Sequence, residues 1–124
     1  MNIEEIRNYC LSKAGTEETL PFDEDTLVFK VVGKMFALIS ITEPDSINLK
    51  CDPEYAVELR EKYDAVKPGF HMNKKHWNTV ELHTGLDAIF ICELINHSYE
   101  QVVAGLPKKL QNEVFKMTRK ATWE

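Results

Sequence analysis

Hydrophobic positions first recur at a helical spacing. Ile3, Ile6, Cys10 and Ala14 fall on one face, as an amphipathic helix requires. Asn2 precedes them with Glu5 three residues later, a capping-box pair, and Gly15 offers a C-terminal stop. The pattern predicts a helix over 3–14. The period then changes. Residues 26–32 and 35–41 are rich in β-branched and aromatic side chains and are separated by Gly33-Lys34, which predicts a tight hairpin. Glu43-Pro44-Asp45-Ser46 reads as a turn. Ile47, Asn48, Leu49 and Lys50 alternate strictly, as in a half-buried third strand.

Asp52-Pro53-Glu54 is a helix start: a capping Asp, proline in the first turn and an acid near the positive end. Ala56, Leu59 and Tyr63 mark the buried face of that helix, and Val66-Lys67-Pro68-Gly69 ends it. Residues 77–82 read as a strand with Trp77, Thr79 and Glu81 on one face and Asn78, Val80 and Leu82 on the other. Residues 66–72 offer it a short, irregular partner. Residues 88–95 are apolar on nearly every side, which suits a buried strand or a helix; Thr84 and Asp87 as a capping pair favour the helix. Ser98 with Gln101 forms a second capping box, so another helix is expected through Tyr99, Val102, Val103 and Leu106, ended by Pro107. Leu110, Val114 and Met117 mark one more amphipathic piece, surrounded by Lys108, Lys109, Lys116, Arg119 and Lys120. The order is α-β-β-β-α-β(β)-α-α. That predicts a two-layer α+β fold over residues 1–124, an antiparallel sheet with helices on one face and a basic helical tail from about residue 108.

Composition narrows the class. The chain is 44% hydrophobic and 28% charged, ordinary for a globular domain. No apolar run approaches the ~18 residues of a membrane span, and the acidic, amphipathic start is unlike a signal peptide, so a cytoplasmic protein with no membrane partner is expected. The formal charge of −5 weighs against a large phosphate-contacting surface, but it is uneven. Residues 1–66 hold 7 basic against 14 acidic side chains, and residues 67–124 hold 8 against 6. Cys10, Cys51 and Cys92 are widely spaced, which favours reduced thiols packed as small hydrophobes. Cys51 sits just before a helix start, where amide dipoles favour a thiolate. No nucleophile elbow, P-loop or dinucleotide fingerprint accompanies it, so catalysis and cofactors are not expected. His71, His76, His83 and His97 lack zinc-ligand spacing, and Glu4, Glu5, Glu17, Glu18, Asp23, Glu24 and Asp25 read as a solvated acidic face rather than a metal site.

The candidate chemistry is cationic. Lys67, His71, Asn73, Lys74, Lys75, His76 and Trp77 lie within eleven residues. Lysines at such positions contact phosphates, an amide reaches a base edge, and an aromatic stacks. Lys34 sits at the hairpin tip, and Lys30 and Lys50 within strands. The competing reading is a structured loop in which Asn73 holds a turn, Trp77 is core and the lysines are solvated.

Val32-Gly33-Lys34-Met35-Phe36-Ala37, Leu49-Lys50-Cys51-Asp52-Pro53 and, most specifically, the stretch PGFHMNKKHWNTV over 68–80 resemble the MmcQ/YjbR-like proteins, with Ser98-Tyr99 and Leu106-Pro107-Lys108 matching the last helix of that family. The resemblance covers about residues 1–110. It implies a compact α+β domain similar to type III secretion chaperones and frataxin-like folds, and a "double-wing" DNA-binding motif. On that reading DNA is the partner, bound through Lys34, Lys50, Lys67, His71, Asn73, Lys74, Lys75, His76 and Trp77. The alternative is a chaperone-like module, docking a protein or a second copy of itself through the apolar stretch 89–95. This chain departs from the family in that apolar stretch and in its basic tail.

Overall fold

The computed structural model describes the backbone of residues 1–123 and side chains through Thr118. The elements are α1 (Ile3–Leu11), β1 (Thr16–Thr19), β2 (Thr26–Val31), β3 (Lys34–Ser40), β4 (Ser46–Lys50), α2 (Pro53–Lys62), β5 (Val66–Pro68), β6 (Trp77–Glu81), α3 (Ala88–Ala104) and α4 (Lys108–Trp123). The strands form one antiparallel sheet in the order β1-β2-β3-β4-β6-β5. β1 to β4 run as a meander; α2 then carries the chain past the edge, so that β5 becomes the outer strand and β6 returns beside β4.

Alternation along the strands separates two faces. Phe29, Val31, Ala37, Ile39, Ile47, Leu49 and Val80 point to the helices, where they meet Ile6 and Cys10 of α1, Ala56 and Leu59 of α2, Ile91, Leu94 and Ile95 of α3 and Val114 of α4. Val28, Leu38 and Trp77 form a smaller cluster on the opposite face, with Met35 and Met72 against it. The expected two-layer α+β fold is the one observed.

Four local features differ from the sequence reading. A sixth strand, β1, is polar throughout (Thr16, Glu17, Glu18, Thr19) and pairs with β2. It is an edge strand, where hydrophilic side chains are tolerated because one side meets water. α1 stops at Leu11, capped by Ser12, so Gly15 (φ 73°) lies in the turn into β1 rather than at a helix end. The hairpin loop is Val32-Gly33, both in the left-handed region (φ 47° and 79°), with Lys34 already paired to Val31. Two positive φ angles are what a two-residue type I′ hairpin loop demands, and Val32 accepts one while its side chain packs on the core.

Lastly, α3 is a single helix of 17 residues rather than two. Asp87 caps it alone, accepting from the Phe90 amide at 2.8 Å; Thr84 bonds back to Glu81. Ser98, expected as a cap, sits inside α3, fully buried. Its hydroxyl accepts from the Lys50 amide at 2.8 Å and donates to the Phe36 carbonyl at 2.5 Å. The Asn2–Glu5 capping box and the Asp52 cap with Pro53 form as expected.

Candidate nucleic-acid interface

The register gathers several of the sequence-predicted residues at one end of the sheet. The β2–β3 turn, the exit from β4 and the loop 69–76 all lie at that end, because Lys50 at the end of β4 faces Trp77 at the start of β6. Lys50 lies on the face away from the helices, between core-facing Leu49 and Cys51. Lys30, paired to Met35 across the β2–β3 ladder, shares that face two strands away, about 10 Å at the usual strand spacing. Lys34 is exposed at the start of β3.

The loop 69–76 is built from backbone bonds. Gly69 donates to the Trp77 carbonyl and Met72 to the Gly69 carbonyl, at 2.9 and 3.2 Å. Residue 69 must be glycine: a Cβ there would meet Trp77 Cβ at 2.8 Å and its carbonyl at 2.9 Å. The Phe70 amide donates to Thr79 Oγ1 at 2.9 Å, which in turn donates to Asn48 Oδ1 at 2.6 Å. Asn73 Oδ1 accepts from the Lys75 amide and the Asn73 carbonyl from His76, an Asx-type turn. The His76 carbonyl accepts from the Cys51 amide at 2.8 Å, tying the loop to the start of α2. Arg60, from α2, donates to Asn78 Oδ1 at 2.7 Å and to the carbonyls of Lys74 and Trp77.

The predicted residues divide accordingly. Lys34, Lys50 and Lys75 make no ion pair among the described residues. Lys67 is committed: its Nζ lies 2.7 Å from Glu81 Oε1, which holds the Glu81 carboxyl below its usual range. Lys74 turns its ammonium to the Gly69 carbonyl at 3.1 Å. His71 and Asn73 are exposed, and His76 is half-buried. Trp77 is only 8% exposed and packs with Val28 and Leu38, so its indole is core and not free to stack on a base. Arg119 and Lys120 of the basic tail have side chains outside the described residues.

Sequence reasoning missed Phe70 and Arg60. Phe70 is 67% exposed, and its ring centroid lies 4.0 Å from that of His71. Nothing in a single Phe of an extended segment signals exposure. Arg60 carries no local signal, because its partners lie 14–18 residues away.

The matching chains place this geometry in a family. The model of the YjbR family matches residues 11–101. The uncharacterized protein YjbR of Escherichia coli K12 is 36% identical over 110 residues, which is 88% of this chain and 93% of that protein. The chain belongs to the YjbR family. A second relative, the uncharacterized protein YbdF of Escherichia coli O157:H7, is 38% identical over 112 residues, 90% of this chain and 92% of the relative. The crystal structure of Deinococcus radiodurans DR2400, a DUF419 domain, is similar at TM-score 0.84 and 40% identity, over 91% of this chain and 87% of that one. A Pseudomonas syringae protein is similar at TM-score 0.70 and 32% identity, over 82% of this chain and 98% of that one.

Other candidate chemistry in this YjbR-family domain is accounted for structurally. Burial pushes the Cys10 thiol up to about 12 and the Cys51 thiol up to about 11, so at neutral pH both are protonated despite the helix start beside Cys51. Asp23 caps the turn before β2 through the amides of Asp25 and Thr26, and Asp25 accepts from Ser40 and Thr42. Among the described residues no cluster of three potential metal ligands forms, and no helix is long and apolar enough to cross a membrane. The cavity lined by Cys51, Asn78 and His97 measures about 10 Å³, too small for an organic ligand.

His97 carries a pH dependence. Its Nε2 accepts from the Asp52 amide at 3.1 Å, which requires the neutral ring. Desolvation lowers its pKa below the ordinary value, with Asp52 and Glu100 opposing. Since the folded-state pKa is the lower one, protonation favours unfolding. The contribution is complete above the ordinary histidine pKa and is lost as pH falls through the depressed one. Urea midpoints measured from pH 7.5 downward, at steps of about half a unit through the histidine range, should fall more steeply for the wild type than for His97→Gln. Parallel profiles would remove His97 as the cause.

Proposed function

We propose that the protein is a DNA-binding module that seats a phosphate backbone against the end of the sheet bearing Lys34, Lys50 and Lys75. The observation that carries this reading is that three cations without a carboxylate partner among the described residues, on separate segments of an acidic chain, are brought to one end of the sheet. A phosphate backbone is the polyanion whose repeating charge suits such a spread of ammonium groups. Lys67 is left out of the contact set by Glu81 and Trp77 by burial. The protein-docking alternative loses its main support: Ile91, Leu94 and Ile95 are buried, and of the apolar stretch only Ile89, at 75%, is a strongly exposed large hydrophobic residue.

The test is a DNA titration at rising salt. Binding at about 50 mM salt should weaken with a log–log slope of about −2 to −3, the slope expected for three phosphate contacts. Lys50→Glu combined with Lys75→Glu should flatten the slope and weaken binding by about tenfold or more. Absence of binding at low salt, or a charge-reversed variant that binds as well as the wild type, defeats the proposal.

A further inference from the structure

We infer that the site takes single-stranded rather than duplex DNA, with Phe70 and His71 forming a platform on which an unpaired base stacks. This rests on the DNA-binding reading and names its substrate. An exposed phenylalanine alone means little, since folded surfaces carry many apolar atoms. Here three further observations accompany it.

The first is that the backbone carrying the exposed ring is fixed in place. The Phe70 amide is held by Thr79 Oγ1 at 2.9 Å and its carbonyl by Asn48 Nδ2 at 3.4 Å, both from the open sheet face. Gly69 is held on both sides, by Trp77 and by Lys74 Nζ. A ring on so restrained a backbone loses little further freedom on binding.

The second is backbone strain. His71 adopts φ 60°, a sparsely populated conformation for a residue with a side chain, which persists only where the surroundings impose it. Its effect is to bring the imidazole beside the phenyl ring, centroids 4.0 Å apart and planes inclined by 49°. Centroids this close put the two rings against each other as a tilted, stacked pair exposed to solvent, where a hydrophobic residue gains nothing for the isolated domain.

The third is the charge around them. Lys75 follows in the same loop and Lys50 lies on the same sheet face as Thr79, neither in an ion pair among the described residues. An aromatic surface flanked by cations is complementary to a strand whose bases present free π-faces beside a phosphate backbone. In a duplex those π-faces are occluded by neighbouring pairs, so an aromatic platform of this kind discriminates strandedness.

Fluorescence anisotropy at low salt with three labelled probes of about twelve nucleotides, within the usual site sizes of single-strand binders, decides the question. The probes are oligothymidine, a duplex of the same length, and a strand of the same length carrying abasic sugars throughout. Oligothymidine should bind more tightly than the duplex or the abasic strand. Phe70→Ala should weaken oligothymidine binding by about tenfold and leave abasic-strand binding unchanged. Phe70→Tyr, which keeps the ring, should restore it. Equal binding of duplex and single strand, or an equal effect of Phe70→Ala on thymidine and abasic strands, overturns the inference while leaving phosphate binding intact. Failure of all three probes to show salt-sensitive binding overturns both proposals together.

Discussion

Replacing Ser98 by alanine is expected to lower stability by about 2 kcal/mol, although only one oxygen atom is removed. The register places Ala37 opposite Leu49 in the β3–β4 ladder, so Phe36 and Lys50 are the next pair along. The β2–β3 register shifts between Phe29 and Lys30, which leaves Phe36 as the extra residue of a β-bulge, with its ring, like the Ala37 methyl, in the helix-side core. A bulge opens the ladder locally. On the other side of β3, one position beyond the Ala37–Leu49 pair, the Ser98 hydroxyl bridges to β4, accepting from the Lys50 amide and donating to the Phe36 carbonyl. α3 is thereby bonded to both central strands at once. Alanine takes the hydroxyl away from a half-buried amide and a buried carbonyl, a loss of about 1–3 kcal/mol for each buried group if unrelieved; partial closure of the strands offsets some of this. For a domain of this size about 2 kcal/mol corresponds to a fall in Tm of about 8 °C. Calorimetry or thermal circular dichroism measures it directly. Ser98→Thr, which keeps the hydroxyl, should recover part of the loss by hydrogen bonding but add a methyl to a filled site. A Tm for Ser98→Ala within a degree or so of the wild type would show that the strands pair directly without the hydroxyl.

Ser98 also shows where a linear reading of this chain stops. Ser followed three residues later by Gln is a local signal for a helix start, but Ser98 lies inside α3 and starts no helix. Its partners are 48 and 62 residues away, and no local pattern encodes them. The same distinction runs through the fold. The capping pairs at Asn2 and Asp52, the alternation of 47–50 and the division of β6 into two faces are local, and each is visible in the chain. β1 was invisible because a polar edge strand has no apolar period to detect; it exists because β2 offers it a ladder. The hairpin was displaced by one residue because Val32 is a poor intrinsic fit to φ 47°, and only core packing compensates. At the candidate interface, the cations were legible as residue types but their pairing was not. Lys67 and Lys75 look alike in sequence; Glu81, which neutralises only the first, reaches it through the antiparallel return of β6 beside β5.

Arg60 should prove the residue on which the candidate interface depends most for its shape. Replacing it with methionine keeps much of the aliphatic stem but removes the bonds to Asn78 Oδ1 and to the carbonyls of Lys74 and Trp77. Asn78 is 2% exposed and its Nδ2 already has no hydrogen-bond partner among the described residues, so its amide would then be buried with neither end satisfied. Bonds from a charged donor contribute about 1.5–3 kcal/mol each, and a loss of about 2–3 kcal/mol overall is expected once the loop relaxes into water. The distinguishing readout is local. Amide exchange in 69–77 should accelerate well beyond that of the central strands, because the loop loses its anchor to α2 while the β2–β3–β4 ladder keeps its own bonds. Uniform acceleration across the domain would mean that Arg60 supports the whole fold rather than the loop. If the DNA-binding proposal holds, Arg60→Met should also weaken binding without reversing any charge at Lys34, Lys50 or Lys75, since it would release the segment that presents Phe70, His71 and Lys75.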